Sequence, residues 1–369
     1  MPLVVLLLSA CSSLEPRSTL PTDHLIVVPT RFADDEPRLD FELLYVDDEM
    51  RQFVDDLLLE ARPHETRLRR LLRGMSKRGL GQLNYRLDLT YTAEETFHKL
   101  RGNCLSFTNL FVALAREAGL TVNYQMVEVP PSWSGADDGL VILNNHMNVL
   151  VNLRYHPDYL VDFNLRKYQD NYKTQLVSDV YAEAMFYSNL AVEALQETEY
   201  GKSFWYLNRA LSLYPDISAP WVNLGVLHAR LGNQKYAESA FLRALELDRG
   251  NKSALTNLSG LYARTGNVEK SAEFAKKVNY YRERNPYYHY NLASNAYEDG
   301  RYDDALISLS RSLRLKKVEH QFHYLRYKTL AEMGRKLQAM KSLEQAFEQA
   351  IYKETRAYYA QQMKSSSKL

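Results

Sequence analysis

Four glycines, Gly232, Gly266, Gly300 and Gly334, stand 34 residues apart. The dipeptide Asn-Leu keeps the same step, at Asn189-Leu190, Asn223-Leu224, Asn257-Leu258 and Asn291-Leu292. So do the small residues Ala237, Ser271, Ala305 and Ala339, and the series Ala210, Ala244, Val278, Ser312 and Ala346. A period of this length leaves few folds open. Each unit holds two antiparallel helices: small residues let them approach closely, and the glycine turns the chain between them. One such unit cannot bury its apolar face alone, so the units must stack. Five units are expected, at 184–217, 218–251, 252–285, 286–319 and 320–353, with a closing helix to about Met363.

Trp221-x-x-Leu224-Gly225-x-x-His228 in the first helix and Ala237-x-x-x-Phe241-x-x-Ala244 in the second resemble the tetratricopeptide repeat, TPR. The resemblance implies an all-α solenoid over about 184–363 that binds a protein or ligand along its inner face. Counting from 286, the inward positions hold Tyr287, Tyr290, Ser294 and Tyr297, with Tyr324 in the next unit. Two readings of these tyrosines stand: a face that stacks against an extended peptide or glycan, or packing within the array. Tyrosine is abundant throughout, with 27 residues.

Upstream the period is lost and one segment concentrates the chemistry, Arg101-Gly102-Asn103-Cys104-Leu105-Ser106. Leu105, Thr108, Phe111, Val112 and Ala115 follow at spacings of three and four, which predicts a helix ended by Gly119. Cys104 then sits at a helix N-terminus, where free N–H groups favour a thiolate. From His146 polar and apolar residues alternate, a turn at His156-Pro157-Asp158 follows, and Tyr159–Phe163 returns. That hairpin places Asp162 beside His146. A thiol, a base and an acid that orients the base make an activated nucleophile. The plain alternatives are a cysteine that merely fills a core and a structural histidine. His98, on a helix, and His156, in a turn, are rival bases.

Gly102-x-Cys104, Leu110, Leu114, Arg116, Gly119 and Leu120, His146 on a strand and Asp162 resemble the transglutaminase-like core of the papain-type cysteine enzymes. The resemblance covers about Thr92 to Asn164. It implies an α+β domain over about 41–180, with Cys104 as nucleophile, His146 as base and Asp162 as its orienting acid. Leu105 after the cysteine and Met147-Asn148-Val149 after the histidine depart from the family pattern. Helices expected around Phe53 and Leu71 precede this core. Leu120–Val129 reads as a strand. Trp133, in the loop 130–139, is either a substrate-facing lid or the loop's own anchor.

Leu8-Ser9-Ala10-Cys11 resembles the lipobox of bacterial lipoproteins, after a short apolar run. This implies a signal peptide over 1–10, lipidation of Cys11, and a tether over 11–40 with one short strand at Leu25–Val28. It implies a place in the bacterial cell envelope, with Ser12 favouring the outer membrane facing the periplasm. The 369-residue chain has two cysteines, so Cys104 remains a free thiol. A net charge of +1 gives no argument for nucleic-acid binding. There is no HExxH, no paired CxxC and no glycine-rich phosphate loop, so no metal or cofactor is implied. The expected function is thiol chemistry on peptide amides, as protease or acyl transferase. The alternative is a catalytically silent envelope scaffold acting through its repeats.

Overall fold

The computed structural model describes residues 20–59, 63–80, 85–86, 88–127, 146–153, 157–163, 174–350 and 353–366. The expected signal peptide, Cys11 and Trp133 lie outside these residues. The chain divides into two compact units, one running to Leu261 and one beginning at Tyr262. The division falls inside the repeat array.

In the first unit, α1 (Thr22–Ile26) and a 3-10 turn (Thr30–Asp35) precede α2 (Asp48–Leu58), α3 (His64–Lys77), α4 (Ala93–Lys99) and α5 (Cys104–Glu117). Four strands follow: β1 (Thr121–Val127), β2 (His146–Asn152), β3 (Tyr159–Val161) and β4 (Thr174–Val177). They form one antiparallel sheet in the order β3-β2-β1-β4. β4 carries no clear alternation and was not expected from the sequence. The helix α5 is the central element and is buried nearly all round: Leu105 to Ala115 are buried, Ser106, Thr108 and Asn109 among them. α2, α3 and α4 cover it on one side and the sheet on the other.

The first repeats belong to this same unit. α6 (Asp179–Gln196) and α7 (Tyr200–Leu213) form one helical pair, and α8 (Ser218–Arg230) and α9 (Gln234–Leu247) the next; α10 (Lys252–Arg264) opens the third. Ala182, Ala184, Met185, Phe186 and Tyr187 of α6 join one continuous core with Leu110, Phe111, Val149 and Val151. The array therefore grows directly out of the α+β core.

Residues 20–40 are not a free tether. α1 replaces the expected strand at Leu25–Val28, and the segment lies along α7 and α9. Leu25 is fully buried. Side chains of the array hold the segment's backbone carbonyls. Asn208 Nδ2 donates to Ile26 O at 2.7 Å, Trp205 Nε1 to Phe32 O at 2.9 Å, and the Tyr187 hydroxyl to Leu39 O. Asp35 packs so tightly on Gly201 that a Cβ there would lie 1.9 Å from its carboxylate. A sparse polar segment stays ordered here because its carbonyls meet donors presented by a rigid surface.

The second unit contains α11 (Val268–Glu283), α12 (Pro286–Glu298), α13 (Tyr302–Leu315), α14 (His320–Glu332), α15 (Lys336–Gln349) and the closing helix α16 (Lys353–Ser366). The periodic glycines have φ between 71° and 77°, a left-handed conformation that side chains rarely adopt. That requirement explains their strict spacing.

Candidate functional site

Cys104 occupies the first position of α5. Three local features put it there. Gly102 has φ 154°, and a Cβ on it would come within 2.6 Å of Ser106 Cβ, so the chain can turn this tightly only with glycine. Asn103 caps the helix, its Oδ1 accepting from Ser106 N–H at 3.0 Å. The Asn103 amide in turn donates to Thr90 Oγ1 at 2.7 Å, which pins the cap to the preceding loop.

His146 begins β2 and is buried. β2 pairs with β3 so that Val149 faces Val161, which brings Asp162 level with Asn148 and within reach of His146. His146 Nε2 lies 2.7 Å from Asp162 Oδ2, and both side chains are almost fully buried, with exposures of 4% and 1%. The Cys104 thiol hydrogen-bonds the same imidazole. With Nε2 committed to Asp162, Nδ1 is the nitrogen available to sulfur. The three expected residues thus converge. Of the rival bases, His98 on α4 pairs instead with Asp47, the cap of α2, at 2.6 Å, and His156 lies outside the described residues.

The electrostatics match this contact. Burial works against a charged sulfur, yet His146, the Tyr85 hydroxyl and the Met147 N–H all hydrogen-bond it, and together they hold the Cys104 thiol below its ordinary value. Burial likewise opposes a charged imidazole. The Asp162 and Cys104 hydrogen bonds overcome it and raise His146 to about 9. The two shifts act in the same sense, each favouring a thiolate–imidazolium pair over the neutral one.

Three contributors were not visible in the sequence. Tyr85, bridged to Gly102 through the backbone, reaches the thiol from a loop without periodicity. Asn148 donates to Asp162 Oδ2 at 3.3 Å. Glu193 of α6 accepts from the Thr90 hydroxyl and N–H, on the far side of the Asn103 cap. A polar residue two positions after His146 on the same strand was the one available signal, for Asn148.

The tyrosines of the second unit are engaged with one another and with the core. Tyr290 stacks on Phe322 at 5.0 Å, and Tyr287 meets the same ring edge-on at 5.3 Å. Tyr287 Oη also donates to Glu319 at 2.8 Å. Tyr297 packs against Tyr302 and lies 4.8 Å beneath the Lys328 ammonium. Tyr324 packs on Tyr359 of the closing helix at 4.9 Å and shares a hydroxyl hydrogen bond with Tyr358. Among the described residues no cluster of His, Cys, Asp and Glu has metal-binding geometry, and no helix is long and apolar enough to cross a membrane.

The chain matches the tetratricopeptide repeat family over residues 219–251. A TPR repeat-containing protein of Methanocaldococcus jannaschii is 30% identical over 93 residues, which make up 25% of this chain and 16% of that protein. The chain thus matches only a small part of that relative's length. Among solved structures, YrrB, a TPR protein with an unusual peptide-binding site, is 15% identical with a TM-score of 0.26, over 48% of this chain and 92% of its own. Pseudomonas aeruginosa pilF is 19% identical with a TM-score of 0.27, over 50% and 92%. MamA of Desulfovibrio magneticus RS-1 is 15% identical with a TM-score of 0.27, over 47% and 96%. The chain contains tetratricopeptide repeats arranged as a helical solenoid.

Proposed function

We propose that the first unit carries a transglutaminase-like thiol site acting on peptide amide bonds, and that the repeats bind the protein or peptide on which it acts. One observation carries the reading: a buried His146–Asp162 pair at 2.7 Å whose imidazole also hydrogen-bonds a cysteine at a helix N-terminus. In this reading the Cys104 thiolate attacks the amide carbonyl carbon and forms the C–S bond. His146 gives its proton to the leaving amine as the C–N bond breaks. Water or a second amine then attacks the thioester, His146 takes its proton, and Cys104 leaves as thiolate. Asp162 holds the imidazole in the tautomer this requires. In this reading backbone N–H groups at the start of α5, including that of Cys104, would stabilise the oxyanion. Water as acceptor makes a protease; an amine makes an acyl transferase. The lipobox-like segment supports anchoring at the cell envelope through Cys11, with the folded body at the outer membrane facing the periplasm.

A second reading keeps the repeats and drops the chemistry. The extent of the repeat array favours it: a scaffold needs only the solenoid. Alkylation of Cys104 followed against pH separates the two. The enzyme reading expects a reactive thiolate well below pH 8.5, a roughly tenfold or greater loss of neutral-pH reactivity in His146→Ala, and no reaction in Cys104→Ala. A thiol that titrates at its ordinary value, indifferent to His146, establishes the scaffold.

A further inference from the structure

Asn148 is fully buried, and it uses only half of its amide. Its Nδ2 donates to Asp162 Oδ2 at 3.3 Å, the oxygen that also meets His146 Nε2 at 2.7 Å. Its Oδ1 is buried and has no hydrogen-bond partner among the described residues. A buried carbonyl oxygen without a donor is destabilising, and an apolar side chain of the same volume would remove that cost. A residue kept for packing alone would therefore be leucine or methionine here. The flanking positions of β2 are such residues: Met147 and Val149 are buried and belong to the core.

The register explains what the retained donor does. Val149 faces Val161 across the antiparallel ladder, so the next pair along sets Asn148 opposite Asp162. His146 lies two residues before Asn148, on the same side of the strand. Asp162 stands just beyond the end of β3, where the ladder no longer fixes its side chain. Two donors on one carboxylate oxygen, one from each of two residues on a neighbouring strand, define the direction in which that oxygen points.

We infer that Asn148 is a positioning residue: its amide fixes the Asp162 carboxylate so that Oδ2 faces His146, and the buried Asn148 carbonyl is the structural cost of that donor. The inference rests on the thiol reading for its functional meaning, but it makes a claim about His146 and Asp162 that stands without any reaction at Cys104.

The test uses the full chain with Asn148→Leu, which keeps the branched heavy-atom shape, and Asn148→Ala in case leucine impairs folding. The His146 imidazole is titrated by NMR in the Cys104→Ala background, where the thiol contributes nothing. Loss of the amide is expected to lower the His146 midpoint by about one unit, a tenfold change in its ionisation constant, because the carboxylate then faces it only part of the time. Folding stability in Asn148→Leu is expected to stay level or rise. With Cys104 restored, alkylation at pH 7 is expected to slow about tenfold. A His146 midpoint unchanged in both variants overturns the inference and leaves Asn148 as core packing. A wild-type Cys104 that proves inert removes the thiol reading, while the imidazole titration still decides the role of Asn148.

Discussion

Replacing Glu193 with glutamine should stabilise this protein at alkaline pH and leave it unchanged in acid. Glu193 lies on α6, and its Oε1 is buried without a hydrogen-bond partner among the described residues. Burial is the largest influence and raises its pKa. Hydrogen bonds from the Thr90 hydroxyl and N–H pull the other way, the negative charges of Asp88 and Glu197 add to the rise, and the carboxyl settles at about 7 against an ordinary 4.5. The folded state therefore prefers the neutral acid. Below pH 4.5 both folded and unfolded chains hold the proton and nothing is lost. Between 4.5 and 7 the unfolded chain gives up its proton more readily, so stability falls, and above 7 the loss is complete. A rise of this size corresponds to about 3 kcal/mol, reduced to about 2 by the solvent that reaches a partly buried side chain. Glu193→Gln keeps an acceptor for Thr90 and removes the charge. Urea unfolding followed at pH 8 and at pH 4.5 reads the effect directly. The variant should gain about 2 kcal/mol at the higher pH and almost nothing at the lower. An equal gain at both, or a loss at pH 8, refutes the reasoning. Thr90 also receives the amide of Asn103, the cap of the Cys104 helix. The same variant therefore reports whether the repeat helix α6 influences thiol reactivity.

Other expectations follow from single contacts. A Cβ on Gly225 would lie 2.4 Å from the Phe241 ring, so Gly225→Ala should force α8 and α9 apart and cost about 2 kcal/mol in chemical denaturation. His228 is buried between Phe204 and Tyr236, and burial lowers it to about 4. Its neutral form is the folded one, so stability should decline as pH falls from 6.5 towards 4, and His228→Phe should flatten that decline in a series of thermal melts. Leu25→Asp should release residues 20–40 from α7 and α9. Limited proteolysis would then cut that segment at least about tenfold faster while the remainder stays intact. The pH profile of Cys104 alkylation should rise below the ordinary thiol range and change again near 9, where His146 loses its proton.

The repeat array was legible because its rules are local. A helix turn needs a left-handed residue, a close helix pair needs small side chains, and both recur along the sequence at fixed spacing. The Cys104 turn was legible for the same reason, since Gly102 and Asn103 are neighbours of the residue they place. The His146–Asp162 contact follows from a hairpin whose alternation and turn can be read directly. Tertiary structure decided the rest. Tyr85 and Glu193 meet the thiol region from elements whose own sequences carry no mark of that contact. Residues 20–40 read as a tether because they are polar and aperiodic. Their anchoring depends on Asn208, Trp205 and Tyr187, which reach them across separations of 182, 173 and 148 residues. Backbone carbonyls are the groups recognised there, and every residue has one. A sequence therefore determines which segments carry helix, turn and a cysteine at a helix start, whereas the surface against which an unpatterned segment comes to rest exists only once the array has folded.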